Sequence, residues 1–255
     1  MANESEKELA GRAAAQLVRD GQVVGLGTGS TAYFAVVALG ERVKAGLKIV
    51  GIPTSVATEE LARKVGVPLT TLDEHPEIDI TIDGADEIDP QLNLIKGGGG
   101  ALLREKVVAS ASKKMVVVAD SGKLVQQLGK FPLPVEIVPF ARAVVAKKLA
   151  GLGATPKLRL KTDGQPYVTD NGNHIIDASF GRISDPAAVA RALSDTAGVV
   201  EHGLFIGMAK VALIGRGATV VDIQPKTKTA TAKSASRRRS RSRVTTSRRS
   251  KVPRR

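Results

Sequence analysis

The sequence predicts an α/β protein built on a doubly wound, mostly parallel sheet with a smaller α+β domain inserted into it. Short apolar strand patterns alternate with helical patterns as far as residue 123. This order is typical of a parallel sheet with helices on both faces. The pattern then becomes β-α-β-β-α-β, which is the order of a ferredoxin-like module. We therefore expect a Rossmann-like main domain and a ferredoxin-like insertion.

The first half of the chain supplies the elements of the main sheet. Apolar side chains at helical spacing predict a helix over residues 5–19, with Ser5 as its N-cap. The elements expected next are a strand at 22–27, a helix from 31 to about 44, a strand within 48–55, a helix at 54–65 capped by Thr54 or Ser55, strands at 68–72 and 77–83, a helix after 101, and a strand at 114–119.

The pattern changes at residues 131–134, which read F-P-L-P. The elements expected after it are a strand at 135–138, a helix at 140–151, strands at 156–161 and 173–178, a helix from 186 to about 195, and a strand at 198–205. Short apolar strands at 209–214 and 218–223 are expected to return to the first sheet. The expected domains are therefore 1–129 with 207–223, and 130–206. The alternative is one continuous irregular domain.

The remaining residues, 224–255, form a basic tail. They carry 13 of the 38 Lys and Arg residues and none of the 25 Asp and Glu residues, which leaves residues 1–223 formally neutral. Large apolar side chains are almost absent, so the tail cannot offset its ordering entropy and is expected to be disordered. Weak binding of polyanions without sequence preference is expected of such a segment. The alternative is a tail with no role.

Several kinds of site are excluded by composition. There is no cysteine, and His75, His174 and His202 lie far apart, so we expect no disulfide, thiolate or metal site. No apolar run approaches the roughly 20 residues that span a bilayer. The first residues also lack the basic-then-apolar order of a secretory signal. These features predict a cytoplasmic protein with no membrane partner.

The stretch from Asp83 to Lys106 gathers the groups that can do chemistry. Asp83 and Asp86 follow the strand at 77–83, at the edge where open α/β sheets bind ligands. Lys96 comes next, followed by four glycines and a helix with Glu105 near its start. Glycine lets the backbone approach a small ligand closely, so we expect a site here. The alternative is a solvated loop beside an ordinary surface glutamate.

A second glycine turn, residues 27–31, leads from a strand into a helix. Such a turn aims backbone N–H groups and the helix dipole at an anion. The dinucleotide fingerprint fails because Ser30 stands at its third glycine position, and no lysine follows the glycines as in a Walker motif. A polar cup with the hydroxyls of Thr28, Ser30 and Thr31 remains, which suits a monophosphate. The alternative is a tight turn required only for packing.

Five motifs occur in order along the chain: V-G-L-G-T-G-S-T, I-D-G-A-D-E-I-D, L-I-K-G-G-G-G-A-L-L-R-E-K, G-K-F-P-L-P-V-E and V-T-D-N-G-N. By these motifs residues 5–223 resemble ribose-5-phosphate isomerase, type A. The resemblance implies interconversion of D-ribose 5-phosphate and D-ribulose 5-phosphate through an enediolate, in the non-oxidative branch of the pentose phosphate pathway. It implies no metal and no cofactor, and a homodimer or homotetramer.

The resemblance also implies a substrate site. The residues that match it are Thr28, Gly29, Ser30, Thr31, Asp83, Gly84, Ala85, Asp86, Lys96, Gly97, Gly98, Gly99 and Lys123. Glu105 matches the family's proton-transferring base, and Lys7 falls where the family has a phosphate-contacting lysine.

An aldose–ketose isomerase takes a proton from the carbon beside a carbonyl and returns it one carbon away. Without a metal it needs a carboxylate base and donors for the enediolate oxygens. We expect Glu105 to be the base and Lys96 to stabilise the developing oxyanion. Asp83 is expected to move a proton between the two oxygens and to help open the furanose ring, while Asp86 orients the substrate.

Three other classes of function are less consistent with the residues. A sugar-phosphate sensor on the same sheet would not need the pair of Lys96 and Glu105. A nucleic-acid-binding fold is opposed by the neutral folded part and by an aromatic content of 3%. An acyl-transferring enzyme with Glu105 as nucleophile would have no evident use for the acidic turn at 83–86.

Overall fold

The computed structural model describes residues 2–225. In chain order its helices and strands are α1 (Ala2–Ala15), β1 (Val23–Leu26), α2 (Ser30–Lys44), β2 (Val50–Pro53), α3 (Val56–Val65), β3 (Ile80–Asp83), β4 (Glu87–Ile88), β5 (Leu94–Ile95), α4 (Leu102–Ser110), β6 (Met115–Asp120), β7 (Leu133–Ile137), α5 (Arg142–Gly151), β8 (Thr155–Leu158), β9 (His174–Ser179), α6 (Pro186–Ser194), β10 (Val199–His202), β11 (Leu204–Phe205), β12 (Ala209–Arg216) and β13 (Thr219–Ile223).

The main sheet has six strands in the order β13-β12-β6-β3-β1-β2. All neighbours are parallel except the edge strand β13, which pairs antiparallel with β12. The chain runs from β1 outward to β2 and then crosses back to β3 on the other side of β1. This reversal of strand order between β1 and β3 is the place where doubly wound sheets bind ligands.

Both faces of the main sheet are buried. On β6, Val116 and Val118 pack into the cluster that includes apolar side chains of α1 and α2. Met115 and Val117, which alternate with them, join a second cluster with side chains from β4, β5 and β12. A strand covered on both faces reads as a continuous apolar run, as the sequence K-M-V-V-V-A does.

The inserted part forms a separate antiparallel sheet in the order β10-β7-β9-β8. Its elements follow one another as β7-α5-β8-β9-α6-β10, which is the predicted ferredoxin-like order. The last two strands, β12 and β13, return to the main sheet. The predicted fold class is therefore confirmed, whereas the domain boundaries stay a prediction. The tail predicted to be disordered lies, from residue 226 onward, outside the described residues.

The first helix differs from its prediction at both ends. It begins at Ala2, so Ser5 lies inside it and is not the N-cap. It ends at Ala15, four residues earlier than expected. The Arg42 guanidinium of α2 donates to the carbonyls of Ala15 and Val18. These bonds satisfy carbonyls at the end of the helix and hold the chain in a turn.

Two predicted strands are also corrected. Residues 68–72 contribute only a single bridge, from Leu69 to Gly51, and the chain then enters a turn in which the His75 N–H donates to the Thr71 carbonyl at 2.9 Å. The strand predicted at 198–205 is divided into β10 and β11, which belong to different sheets. The division falls at Gly203, where a Cβ would lie 2.2 Å from the carbonyl oxygen of Lys96. No helix within residues 2–225 is both long enough and apolar enough to cross a membrane.

Candidate active site

The carboxyl ends of β1 and β3 meet at the point where the strand order reverses. Gly27, directly after β1, donates its N–H to the Ile82 carbonyl at 2.9 Å. A Cβ on Gly27 would lie 2.3 Å from Asp83 Oδ1, so only glycine allows this approach. The next N–H, of Thr28, donates to the same Asp83 oxygen at 3.1 Å. The turn at 27–31 and the acidic turn at 83–86 therefore form one structure.

The N-terminus of α2 opens beside this junction without a side-chain cap. Gly29 precedes the helix with φ 118° and provides no capping oxygen. The hydroxyls of Ser30 and Thr31 have no hydrogen-bond partner within residues 2–225. Uncapped backbone N–H groups and the helix dipole attract an anion at such an end. The turn predicted to form an anion cup thus leads into an uncapped helix N-terminus, and its binding of an anion stays a prediction.

One hydroxyl of the predicted cup faces elsewhere. Thr28 Oγ1 lies 2.7 Å from Thr54 Oγ1, 2.8 Å from Ser55 Oγ and 3.0 Å from Thr58 Oγ1. These three side chains belong to the loop before α3 and to its first turn, where Ser55 is the N-cap. Thr28 therefore contributes its backbone to the cup, and its hydroxyl ties the cup to α3.

Three ionisable side chains form a buried cluster beneath the two turns. Asp83 is 0%, Lys96 2% and Glu105 4% exposed. Lys96 Nζ lies 3.1 Å from Asp83 Oδ2 and 3.1 Å from Glu105 Oε1, and it donates to the Gly84 carbonyl at 2.6 Å. The ammonium thus makes one hydrogen bond, to the Gly84 carbonyl, and two ion pairs, one with each carboxylate.

One ammonium cannot balance two buried carboxylates. Burial raises the pKa of Glu105 to about 8, and the negative charge of Asp83 adds to this rise while Lys96 opposes it. Burial likewise raises the pKa of Asp83. Burial lowers the pKa of Lys96, but the charges of Asp83 and Glu105 outweigh it and hold that pKa above its usual value. Lys96 therefore stays charged, and the two carboxyls share a site in which one holds a proton more readily than usual.

Glu105 has a second oxygen with no partner. Its Oε2 is buried and makes no hydrogen bond within residues 2–225. Buried polar atoms are nearly always satisfied, so an exception calls for an explanation. Glu105 lies in the first turn of α4 and borders a small open cleft. The cleft is lined by Thr28, Gly29, Ser30, Thr31, Gly84, Ala85, Asp86, Lys96, Gly97, Gly98, Gly99, Glu105 and Lys123.

The structure therefore brings the predicted site residues together, with two exceptions. Asp83 lies beneath the cleft rather than on its wall, with Oδ1 accepting the N–H groups of Thr28 and Gly84. Lys7 does not line the cleft; its ammonium lies 3.7 Å from Glu4 Oε2. Lys123 enters from a short 3-10 turn that follows β6.

The comparisons with known proteins agree with this geometry. A family model described as "Ribose 5-phosphate isomerase A (phosphoriboisomerase A)" matches residues 50–219. The match covers more than half of the chain and includes the buried cluster. The chain belongs to this family.

The chain matches curated members of this isomerase family over nearly their whole length. Ribose-5-phosphate isomerase A of Parvibaculum lavamentivorans is 51% identical over 86% of this chain and 98% of its own. The protein of the same name from Bradyrhizobium diazoefficiens is 54% identical over 85% of this chain and 95% of its own.

Solved structures of ribose 5-phosphate isomerases share the fold. The Methanocaldococcus jannaschii enzyme is 42% identical, with a TM-score of 0.82 over 86% of this chain and 97% of its own. A D-ribose-5-phosphate isomerase in complex with phospho-erythronic acid is 39% identical, with a TM-score of 0.85 over 88% of this chain and 100% of its own. The fold of this chain is thus that of the isomerase family.

Two isomerase motifs without an assigned role meet outside the cleft. Glu136, from G-K-F-P-L-P-V-E, is fully buried. Its Oε1 accepts from the Thr169 hydroxyl at 2.8 Å and the Asn173 amide at 3.0 Å, both from V-T-D-N-G-N. A buried carboxylate thereby fixes the loop at 169–173.

That loop reaches two helices of the main domain. Asp170 Oδ2 accepts the N–H of Val56 at the start of α3, at 2.8 Å. Asn171 Oδ1 accepts Nε of Arg104 at 3.0 Å. Because Arg104 directly precedes Glu105, the loop holds the first turn of α4 from outside.

Sequence reasoning missed two residues that contact the glycine turn. Arg159 donates to the carbonyls of Gly97 and Gly98, and Tyr167 Oη donates to the Gly99 carbonyl at 3.3 Å. Both belong to the small domain, about sixty residues further along the chain. The only available signal was the position of Tyr167 directly before V-T-D-N-G-N.

Proposed function

We propose that the chain isomerises ribose 5-phosphate to ribulose 5-phosphate and back, with Glu105 as the proton-transferring base. The observation that carries this assignment is the unpaired Oε2 of Glu105 at the wall of the cleft. A carboxylate oxygen without a protein partner is available to a substrate. Membership of the isomerase family supports the reaction, and the geometry supports the assignment of roles.

The phosphate is expected at the N-terminus of α2. Ser30, Thr31 and Lys123 all line the cleft, and α2 begins at Ser30 with no side-chain cap for its first N–H groups. Together they offer positive potential and several donors to a dianion. Holding the phosphate there fixes the reacting carbons beside Glu105, and such positioning contributes several kcal/mol to catalysis.

The proton moves between two adjacent carbons of the open-chain sugar. Glu105 removes the hydrogen on C2 as a proton, the electron pair forms the C1–C2 double bond, and the carbonyl electrons pass to O1. The protonated Glu105 then returns its proton to C1 while the hydroxyl proton of O2 moves to O1. The balance is that of an isomerisation, with no atom gained or lost. A base whose pKa is raised to about 8 both accepts and returns a proton readily near neutral pH.

Lys96 is the source of positive charge for the enediolate. Its ammonium donates to the Gly84 carbonyl and is held in ion pairs by Asp83 and Glu105 while Glu105 is ionised. Once Glu105 has taken the substrate proton, its hold on Lys96 weakens, and one N–H is released toward the new oxyanion. The stabilising contact therefore forms when the negative charge appears, which is the condition for lowering the barrier.

The two aspartates have different positions. Asp86 lies on the cleft wall, where Oδ2 accepts the Gly98 N–H at 2.7 Å and Oδ1 is left for a sugar hydroxyl. Asp83 is enclosed by Thr28, Gly84 and Lys96. Its role in our assignment is to orient the Lys96 ammonium and to balance its charge. Its predicted role in moving a proton between the sugar oxygens and in ring opening stays a prediction.

The direct test mixes the purified protein with ribose 5-phosphate in the presence of EDTA and follows the formation of ribulose 5-phosphate. The proposal expects full activity, because the cleft offers a carboxylate and an ammonium for the reaction. Complete loss of activity in EDTA that added metal restores would overturn the metal-independent mechanism. No turnover with or without metal would overturn the function itself.

We further propose a homodimer or homotetramer and a cytoplasmic location. Both rest on the family and on composition. Light scattering of the purified protein measures the first, and fractionation of the source cells measures the second. A monomer, or recovery with the membrane fraction, would contradict them.

A further inference from the structure

The small domain contacts the active site through the carbonyls of the glycine turn. Arg159, directly after β8, donates Nη1 to the Gly97 carbonyl at 2.8 Å and to the Gly98 carbonyl at 3.2 Å. Its side chain is 14% exposed. Neither carbonyl belongs to a helix or strand. The Gly97 carbonyl also accepts the Gly100 N–H within the turn at 3.0 Å, and Arg159 adds a hold from outside that joins the Gly97 and Gly98 carbonyls.

Arg159 is itself fixed by a carboxylate. Asp177 on β9 accepts from Nε and Nη2 through its two oxygens, an arrangement that uses the fork geometry of the guanidinium. The remaining nitrogen, Nη1, is the one that reaches the glycine turn. Tyr167, whose ring lies 5.9 Å from the Arg159 guanidinium, supports the third carbonyl.

The two bonds from Arg159 to carbonyls also fix the direction of the N–H groups that follow them, because trans peptides are planar. In each such peptide the N–H points away from the preceding C=O. The Gly97 carbonyl points to Arg159, and the Gly98 N–H accordingly reaches Asp86 on the cleft wall at 2.7 Å. The Gly98 carbonyl also points to Arg159, so the Gly99 N–H faces the same side as Asp86. This N–H has no hydrogen-bond partner within residues 2–225.

We propose that Arg159, fixed by Asp177, is a positioning residue that holds the glycine turn with the Gly99 N–H facing the cleft as a donor to a substrate oxygen. The inference rests on the proposed function, because it assigns that donor to the same sugar-phosphate site. It also gives the small domain a part in substrate recognition.

The test compares Arg159→Met with Lys157→Met. Lys157 lies on β8 opposite Asp177 and is exposed. Its side chain makes no hydrogen bond or ion pair within residues 2–225, so its replacement removes the same charge without touching the turn. We expect kcat/KM for ribose 5-phosphate to fall roughly 10- to 100-fold in Arg159→Met. We expect it to remain within about twofold of wild type in Lys157→Met.

Binding of two probes separates positioning from general destabilisation. Phospho-erythronic acid carries both a phosphate and sugar-like oxygens, whereas inorganic phosphate fills only the cup at α2. Arg159→Met should weaken phospho-erythronic acid roughly tenfold, as for one lost donor, and leave inorganic phosphate unchanged. A purely structural role for Arg159 would lower the melting temperature and alter neither affinity in the folded fraction.

Two further variants keep the inference testable if Arg159→Met does not fold. Arg159→Lys keeps the charge but cannot bond both Asp177 oxygens and the carbonyls together, so it should retain most of the defect. Asp177→Asn should show the same selective loss at a smaller magnitude. Wild-type behaviour of Arg159→Lys, or equal values for Arg159→Met and Lys157→Met, would overturn the inference. An inactive wild-type protein would instead overturn the proposed function, and the two-probe comparison would still decide the role of Arg159.

Discussion

Raising the pH from 7 to 9 is expected to increase kcat/KM for ribose 5-phosphate roughly tenfold, because the base must be ionised to accept a proton. Burial and the charge of Asp83 raise the pKa of Glu105 to about 8. A group with that pKa is about one-tenth ionised at pH 7 and about nine-tenths at pH 9. The pKa of Lys96 lies above its usual value, so Lys96 remains charged throughout this range.

The variant Asp83→Asn tests whether the charge of Asp83 raises the pKa of Glu105. The charge of Asp83 raises the pKa of Glu105, and its removal also leaves Lys96 with a single carboxylate partner. Both changes lower the pKa of Glu105. The acid limb of the pH profile of kcat/KM should therefore move to lower pH, and the ratio of kcat/KM at pH 9 to that at pH 7 should fall below tenfold. The variant should nevertheless be slower at its optimum, because Lys96 loses its orientation.

The assay follows ribulose 5-phosphate formation at low substrate concentration in buffers of constant ionic strength. Sugar phosphates complete most of their second ionisation by pH 7, so the substrate contributes little above that pH. The apparent pKa belongs to the coupled cluster as a whole. A profile that is flat from pH 7 to 9 would refute the assignment of a raised pKa to the base. A limb that moves to higher pH in Asp83→Asn would refute the part given to Asp83.

Two other predictions concern the phosphate cup and the tail. Thr31→Val should mainly weaken phosphate binding, so the ratio of kcat/KM between ribose 5-phosphate and free ribose should fall; an unchanged ratio would place the phosphate elsewhere. Deletion of residues 224–255, most of which lie outside the described residues, should leave kcat/KM within about twofold near physiological salt. The deletion should also abolish salt-sensitive RNA binding by the full chain. Unfolding or inactivity of the truncated protein would show that the tail is structural.

The main sheet could be predicted from sequence because its inner strands, such as β3 and β6, are buried on both faces and stand out as short apolar runs between helices. The strands β4 and β5 are two residues long and too short to show a periodicity; they pair with each other, and β11 adds to β5 from more than a hundred residues further along the chain. The break at Gly203 depends on the close approach of the Lys96 carbonyl. Contacts of that kind are tertiary, and no local pattern encodes them.

The cleft could be predicted because its walls come from the ends of neighbouring strands and carry charge beside glycine. The direction in which each side chain points could not be predicted from the sequence. Thr28 and Ser30 look equivalent in sequence, yet the Thr28 hydroxyl faces α3. In the sequence, Arg159 is a single charged residue after a strand, with no motif that marks it. Only the packing of the small domain brings it to the glycine turn.

The most direct test of Glu105 as the base combines turnover with hydrogen exchange at C2. Wild-type protein and Glu105→Gln are incubated with ribose 5-phosphate in deuterated water, and both ribulose 5-phosphate and deuterium at the reacting carbons are measured. Glutamine keeps the size of the side chain and can still accept from Lys96, but it cannot take a proton.

We expect Glu105→Gln to bind phospho-erythronic acid with an affinity similar to that of wild type, to lose turnover by roughly 10²- to 10⁴-fold, and to lose deuterium incorporation in parallel. A near-normal kcat in Glu105→Gln, or deuterium exchange that continues at the wild-type rate, would show that another group removes the proton.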